Sequence, residues 1–443
     1  MKAEMKSNLF QYDAKTKLSE VVPLGMQHVV AAAVGIVTPG IMIAGASGMG
    51  AADRTLIIQT CLVFSGFATL IQLFKPFGIG SRLPVMMGTS FAYVPILLSI
   101  TNGEASGFGM IIGAQMVGSI VSVLVGLGIN KIRILFPPLV TGTVILSIGF
   151  SLFDVAVGYM AGGKASPTFG SLQNWGVGLA TFAIVFFFTY FVKGVFSLAS
   201  ILIGVIAGYL LSIALGMVDF SAISNAGYFQ MVQPLHFKPE FEVIPIVTLT
   251  IMFIVNAVQA IGDLTALTVS GLDREPTNQE LGGGIIGNSI TTFVGAFFGA
   301  LPTATFSQNI GLVSVTKVVN RGVFLFASVV LMIAGFVPKI SALLTTIPQA
   351  VIGGATIAVF ASISMTGMKM IASAGFSRIN TGIIGLSLAF GIGIPLTTGS
   401  LAGPGFPAWV DQIFGGSEVV LTTIIAIILN LLLNHTKVGR EKA

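Results

Sequence analysis

Residues 302–318 read PTATFSQNIGLVSVTKV, and residues 83–100 read LPVMMGTSFAYVPILLSI. Both stretches are short, are crowded with Pro, Gly, Ser and Thr, and stand between long apolar runs. At membrane depth, backbone that is not helical must be buried in protein or line a cavity, because its N–H and C=O groups need partners. We therefore expect each stretch to begin extended and to end as a half-helix whose free N–H groups face the middle of the protein. Two kinked helices with polar groups satisfied by their neighbours are the alternative.

The composition supports a membrane setting. The chain has 443 residues, of which 54% are hydrophobic and only 8% are charged. A soluble chain is about a quarter charged, so this one cannot coat a water-facing surface. The formal charge of +5 comes from cations scattered singly between apolar runs, which is typical of membrane orientation and not of nucleic-acid binding. We therefore expect an all-α, multi-pass protein of the cytoplasmic (plasma) membrane, with the lipid bilayer as its partner.

Hydropathy predicts about fourteen segments, seven in each half of the chain. They cover residues 22–44, 54–74, 83–100, 107–128, 134–155, 175–193, 195–216, 244–267, 284–300, 302–318, 321–338, 346–366, 379–395 and 418–434. The run Gly282–Gly284 is interpreted as a flexible entry to the ninth segment.

The positive charges predict the orientation of these segments. With the N-terminus in the cytoplasm, all but four of the 21 Lys and Arg residues fall on the cytoplasmic side, the four being Arg54, Lys164, Lys238 and Lys339. Both termini are then cytoplasmic. The resulting plan is a cytoplasmic tail, a first repeat, an extracellular linker, a second repeat and a second cytoplasmic tail, at residues 1–20, 21–216, 217–243, 244–436 and 437–443.

Short sequence matches indicate that the two halves are repeats. Residues 136–142 (FPPLVTG) parallel residues 347–353 (IPQAVIG) at the fifth segment of each half, and residues 89–92 (TSFA) parallel residues 304–307 (ATFS) at the third. Seven segments per half make the repeat inverted. Inverted repeats with interrupted segments are typical of secondary transporters, whose substrate lies near the midplane. The sequence shows no metal-ligand cluster, phosphate-binding loop or nucleophile constellation, so we expect no cofactor and no enzymatic activity.

The stretch SQNIGLVSVTK, residues 307–317, resembles the signature of the nucleobase–ascorbate transporter family (nucleobase:cation symporters, including xanthine and uracil permeases). That signature is Gln/Glu-Asn-x-Gly, four residues, and then Thr, often followed by a basic residue. The pair Gln27-His28, the triplet at residues 90–92 (SFA) and residues 261–266 (IGDLTA) also match the family, in the same order along the chain. The resemblance implies a core domain from segments 1–4 and 8–11, a gate domain from segments 5–7 and 12–14, and a homodimer formed through the gate domains.

The resemblance also implies a binding site. Phe91 would stack on the base and Ala92 would back it, while Gln308, with backbone near Ser307, would hydrogen-bond the base edge. An amide offers a donor and an acceptor in one plane, and an aromatic face stacks on any base. Supporting roles are implied for Gln27, His28, Ser90, Asn288, Phe306, Asn309, Gly311 and Thr316.

The eighth segment departs from the family. Asn256, Gln259 and Asp263 share one face of an apolar helix, where polar residues usually point into the bundle. Family members usually carry Glu at the position of Gln259, and many purine carriers have a carboxylate at the position of Asn288. The amide of Gln259 can still bind a base, but it cannot titrate. Asp263 and His28 are therefore the proton-coupling candidates, and sodium coupling or uncoupled exchange stays open.

These features predict a secondary active transporter that imports nucleobases. Gln308 resembles the xanthine and urate members more than the uracil members, so oxidised purines are favoured, with proton symport as the favoured coupling. The alternatives are a uracil permease, a sodium-coupled or uncoupled base exchanger, or a channel or anion carrier of related fold.

Overall fold

The computed structural model describes residues 8–101, 106–132, 135–164 and 166–434. The cytoplasmic tail predicted at residues 437–443 lies outside this part of the chain. Helices dominate the fold, and the strands are short. An all-α polytopic architecture is thereby confirmed.

The first half of the chain contains one strand and nine α-helices within the described residues. They are α1 (Leu18–Ala46), α2 (Ala51–Phe74), β1 (Met87–Thr89), α3 (Val94–Thr101), α4 (Ser106–Leu127), α5 (Ile129–Ile132), α6 (Pro138–Met160), α7 (Leu172–Tyr190), α8 (Val195–Leu198) and α9 (Ser200–Ala214).

The second half contains a matching strand and the remaining described α-helices. They are α10 (Ser221–Asn225), α11 (Val243–Leu272), α12 (Asn278–Phe297), β2 (Thr303–Thr305), α13 (Ser307–Thr316), α14 (Arg321–Gly335), α15 (Pro338–Thr345), α16 (Gln349–Ala374), α17 (Arg378–Leu396), α18 (Ala408–Val410) and α19 (Glu418–Asn434). Each predicted segment overlaps a helix or a strand followed by a helix.

Not every segment is a full-length membrane helix. Eight of the described helices are long and apolar enough to cross a bilayer. Helices α14 and α15 would add a ninth span if counted together, but they are bent by 80° relative to each other. The half-helices α3 and α13 are shorter, as expected for segments that begin as strands.

The repeated proline motifs open equivalent helices. Pro137 is the N-cap residue of α6 and Pro348 is the N-cap residue of α16, both with extended backbone. Proline has a fixed φ and no N–H, so it suits a helix start. These two helices then cross at glycines, since a Cβ on Gly142 would lie 2.8 Å from the carbonyl oxygen of Gly367. Small residues at the crossing allow the close backbone approach that stabilises helix pairs in lipid.

The helices pack in two groups. Helices α1, α2, α4, α11, α12 and α14 pack against one another, and the half-helices α3 and α13 belong to this first group. Helices α6, α7, α9, α16, α17 and α19 form the second group, in which α16 packs along α6.

The two strands cross in the first helix group. β1 pairs antiparallel with β2, with Met87 opposite Thr305 and Thr89 opposite Thr303. Gly88 has no room for a side chain, because a Cβ there would collide with the ring of Phe306 and would lie 2.7 Å from Ile36. Each strand leads directly into a half-helix, so the expectation of extended strand followed by half-helix is confirmed and the kinked-helix alternative is wrong.

At this crossing, the residues that are equivalent in the two repeats differ by one position from those that the sequence match had paired. The N-cap residue is Ser90 in the first half and Phe306 in the second. The sequence match had instead placed Phe91 opposite Phe306.

Candidate functional site

The two half-helices begin beside the strand crossing. Ser90 caps the first one, since its side chain accepts a hydrogen bond from the Ala92 N–H at 3.2 Å. Phe91 and Ala92 are buried directly behind this cap. At the second half-helix, the backbone N–H groups of Ser307 and Gln308 have no partner within the described chain. Both residues are exposed, so these donors are available to a ligand.

Asp263 braces the start of α13 from α11. One carboxylate oxygen accepts a hydrogen bond from the Thr305 hydroxyl at 2.5 Å, and the other accepts from the Ser307 hydroxyl at 2.9 Å. No described Lys, Arg or His forms an ion pair with this carboxylate. The negative charge is stabilised instead by two hydroxyl donors and by the positive end of the α13 dipole.

Asn309 braces α13 from α1. Its side-chain NH2 group contacts Nδ1 of His28 and the His28 carbonyl oxygen, both at 3.0 Å. Because the carbonyl can only accept, this end of the amide must be the donor, and Nδ1 must then be an acceptor. The His28 ring packs against Phe324 with 4.4 Å between ring centroids. His28 and Asn309 are each about 1% exposed, so this is a buried structural link.

Asn288 holds the strand β2 in place. Its amide donates to the Thr303 carbonyl at 2.9 Å and accepts from the Thr303 hydroxyl at 2.7 Å. Phe306 is also buried, and a Cβ on Gly35 would lie 2.7 Å from its ring. Thr316, at the far end of α13, donates to the Leu312 carbonyl at 2.8 Å. Asn288 thus holds Thr303 of β2, whereas the Thr316 bond stays within α13.

Three glutamine amides near the site are free. The side chains of Gln27, Gln259 and Gln308 have no hydrogen-bond partner among the residues that the structure describes. Gln308 is exposed at the start of α13, whereas the other two are half-buried. Gln259 lies one turn before Asp263 on the same face of α11. Free amides beside rigidly braced neighbours can bind a polar ligand.

Phe91 contacts the second helix group. Its ring meets the ring of Phe360, on α16, edge to face, with 5.2 Å between centroids. Sequence reasoning missed Phe360, because one phenylalanine among 34 carries no distinguishing signal. It also missed Thr305 as a partner of Asp263, although Thr305 lies in the repeated motif at residues 304–307.

One side of the site is open. A Cβ added at Gly262 on α11, or at Gly311 on α13, would have no atom within 4 Å. Both glycines and Ala266 are exposed. Gly311 follows Gln308 by one turn toward the end of α13. The open side therefore runs from Gln308 along the ends of α11 and α13.

Two paired strands that each lead into a half-helix, within one of two helix groups, are typical of a membrane transporter of inverted-repeat architecture. The sequence model described as "Permease family" (Xan_ur_permease) matches residues 19–399. The chain belongs to this permease family, so it is a transporter and not an enzyme.

Two relatives with permease names agree with this assignment. The xanthine permease of Bacillus subtilis is 33% identical over 85% of this chain and 85% of its own length. The uric acid permease PucJ of the same organism is 34% identical over 94% of this chain and 93% of its own length. The family resemblance drawn from the sequence motifs is thus confirmed.

Solved structures show the fold. The transmembrane domain of the cyanobacterial bicarbonate transporter BicA superposes with a TM-score of 0.61 at 17% identity, covering 93% of this chain and 97% of that one. Murine Slc26a9 in the inward-facing state superposes with a TM-score of 0.65 at 12% identity, covering 96% of this chain and 69% of that one. At these identities the likeness concerns architecture alone.

Proposed function

We propose that this permease imports nucleobases, with oxidised purines such as xanthine or urate as substrates. The observation that carries the proposal is the start of α13, where two backbone N–H groups and the Gln308 amide are exposed and unpaired within the described chain. Asp263, Asn309 and Asn288 hold that start rigidly. Preorganised donors of this kind favour a ligand rich in ring carbonyls.

The residue types fit a planar heterocycle. The Gln308 and Gln259 amides each supply a donor and an acceptor for the base edge, and Phe91 supplies an aromatic face with Ala92 behind it. The positive ends of both half-helices favour electron-rich oxygens. Oxidised purines carry more ring carbonyls than adenine or hypoxanthine. That the relatives named above are xanthine and uric acid permeases supports the same substrate class.

Transport requires the site to face each side in turn. In our proposal the first helix group is the core domain, which carries the site and moves against the second group, the gate domain. The contact between Phe91 and Phe360 lies between these groups and would break or slide during the movement. In the plasma membrane, with both termini in the cytoplasm, the open side beside Gly311 faces inward. The gate domains form the contact of a homodimer.

Coupling to protons would act through Asp263. Both of its oxygens accept hydrogen bonds in the present arrangement. Protonation converts one of these acceptors into a donor, so the hydroxyl of Thr305 or Ser307 on that oxygen must turn to accept, which changes the hydrogen bonding at the start of α13. His28 is less suited, because Nδ1 is occupied as the acceptor for Asn309. We therefore favour proton symport through Asp263.

The test is uptake of radiolabelled xanthine, urate and uracil into proteoliposomes under imposed proton or sodium gradients. Saturable purine uptake driven by a proton gradient, and lost in Asp263→Asn with base binding retained, is the expected result. Accumulation under a sodium gradient alone, or exchange without any gradient effect, would replace proton symport by the corresponding alternative. Uptake of inorganic anions without any base uptake would refute the proposed function.

A further inference from the structure

Residues 8–17, which precede α1, fold back onto the turn at residues 317–321 that follows α13. We name residues 8–17 the N-terminal clasp. The backbone N–H groups of Val319 and Asn320 both donate to the Leu9 carbonyl at 3.1 Å, and the Arg321 N–H donates to the Tyr12 carbonyl at 3.0 Å. Backbone hydrogen bonds of this kind fix the position of the turn.

Asn320 is the centre of this contact. It is about 1% exposed, and both polar atoms of its side chain are used. The NH2 group reaches three clasp carbonyls, those of Asn8 (3.2 Å), Gln11 (3.0 Å) and Ala14 (2.8 Å). The carbonyl oxygen accepts from the Gly322 N–H at 2.9 Å, which caps α14, and from the Thr16 hydroxyl at 3.3 Å.

The clasp also binds the first repeat. The Asp13 carboxylate pairs with Arg321 at 2.9 Å and with Arg82 at 3.2 Å. The Tyr12 hydroxyl donates to the Leu73 carbonyl, at the end of α2, at 2.5 Å. Burial, and then the nearby Asp13 carboxylate, raise the pKa of Tyr12, so its hydroxyl remains a donor. The clasp thus links α2 and the loop before β1 to the turn after α13.

A counterpart exists at the opposite end of the molecule. Residues 226–242 precede α11, the first long helix of the second repeat. The Glu240 N–H donates to the Gly109 carbonyl at 2.9 Å, near the start of the helix that follows half-helix α3. In each repeat, then, the segment before the first long helix binds the region that follows the half-helix of the other repeat. An arrangement that recurs in both repeats indicates a role in the common architecture.

Both ends of α13 need to be held. It has ten residues, and isolated helices of this length are marginal, so tertiary contacts must supply its stability. Asp263 and Asn309 hold its first turn. At its other end, Lys317 has a left-handed backbone and its ammonium donates to the Ser270 carbonyl. The clasp holds the residues that come next.

We propose that the N-terminal clasp, through Asn320, positions half-helix α13 for substrate binding and stays closed throughout the transport cycle. Asn320 is then a positioning residue that acts on the donors of Ser307 and Gln308 through α13. Residues 8–17 move with the core domain and are not a free tail. This proposal rests on the proposed function, because its main readout is the KM for the base.

The first experiment separates the clasp from the cap of α14. Serine is a good N-cap residue, so Asn320→Ser keeps an acceptor for the Gly322 N–H but removes the donors to the three clasp carbonyls. We expect Asn320→Ser to raise the KM for xanthine about fivefold or more with kcat less affected, since hydrogen bonds that position the site are lost. Asn320→Ala also removes the cap and should in addition lower the melting temperature. An unchanged KM in both variants would overturn the proposal.

The second experiment locks the clasp. The Thr16 hydroxyl oxygen lies 3.5 Å from where a Cβ on Gly322 would be, which suits a disulfide between Thr16→Cys and Gly322→Cys in a Cys61→Ala background. That Cβ would also lie 2.9 Å from Oδ1 of Asn320, so the oxidised form is compared with the reduced form of the same variant. We expect the oxidised protein to transport within about twofold of the reduced protein, because a closed clasp does not oppose the cycle. Loss of uptake on oxidation, reversed by reductant, would show that the clasp must open and would overturn the proposal.

A third measurement does not depend on transport. In purified protein, a protease should cleave within residues 8–17 faster in Asn320→Ser than in wild type. Equal cleavage rates would refute the clasp even if the wild type transported no base. Absence of base uptake by wild type, with the expected protection from cleavage, would refute the proposed function alone.

Discussion

The substitution Gln308→Ala separates binding from stability. The Gln308 side chain is exposed and has no hydrogen-bond partner within the described chain, so its removal leaves no protein group unpaired. Stability should change by less than about 0.5 kcal/mol, the usual range for such positions. A base bound by the amide would instead lose a buried hydrogen bond, which costs roughly 1–3 kcal/mol. At tenfold for each 1.4 kcal/mol, KM should rise roughly 5- to 150-fold.

Asn309→Ala is the matched control at the next residue. Asn309 is buried, and its amide makes two hydrogen bonds to His28, so truncation should destabilise the fold by about 1–3 kcal/mol. The assays are radiolabelled xanthine uptake at several concentrations and thermal unfolding of the purified variants. Gln308→Ala should change KM without lowering the melting temperature, whereas Asn309→Ala should lower the melting temperature. Wild-type KM in Gln308→Ala, or a large loss of stability, would refute this account of the site.

Three further predictions concern the path, the topology and the coupling. Gly311→Leu should reduce uptake by roughly tenfold or more at normal protein levels, because the new side chain fills the open side of the site without contacting protein atoms. The control is Gly382→Leu on α17, where a Cβ is equally free of contacts and uptake should be normal. In a cysteine-free background, Gln233→Cys should react with an impermeant maleimide on intact cells and Glu275→Cys only after permeabilisation, and the reverse pattern would invert the topology. Gln259→Glu adds a second titratable group one turn from Asp263, so the pH dependence of uptake should differ from that of wild type. Superimposable pH profiles of the variant and wild type would place this residue outside the site.

The architecture could be predicted from the sequence because its signals are local. Long apolar runs, the strand-like stretches at residues 83–100 and 302–318, and the proline motifs at residues 136–142 and 347–353 each indicate their own element. Most predicted segment ends lie within a few residues of the helix ends. The contact of Asn309 with His28, and that of Asp263 with Ser307, also join residues that the sequence had marked for one site.

What could not be predicted depends on contacts between distant residues. The run Gly282–Gly284 was expected to be flexible, and this was wrong, since it lies within α12. There a Cβ on Gly282 would lie 2.8 Å from the Gly126 carbonyl oxygen. The Gly80 N–H donates a hydrogen bond to the Gly283 carbonyl oxygen at 3.0 Å. The glycines serve close packing, which a sequence cannot distinguish from flexibility. Residues 8–17 likewise carry no apolar periodicity. Their contact with the turn after α13 is visible only in the structure, where their backbone carbonyls accept hydrogen bonds from Asn320.

The proposed coupling through Asp263 is compatible with a neutral residue at position 259. A carboxylate there would stand one turn from Asp263 on the same helix face, and two such charges at that spacing repel each other. Because Gln259 is neutral, Asp263 is the titratable residue of this helix face, and it contacts the start of α13 directly through the Ser307 hydroxyl. A proton on Asp263 would then act on the binding site through the hydroxyl and α13, without needing contact with the base. In the proposed mechanism, recognition and coupling are therefore divided between two residues, the amide at position 259 and the carboxylate at position 263.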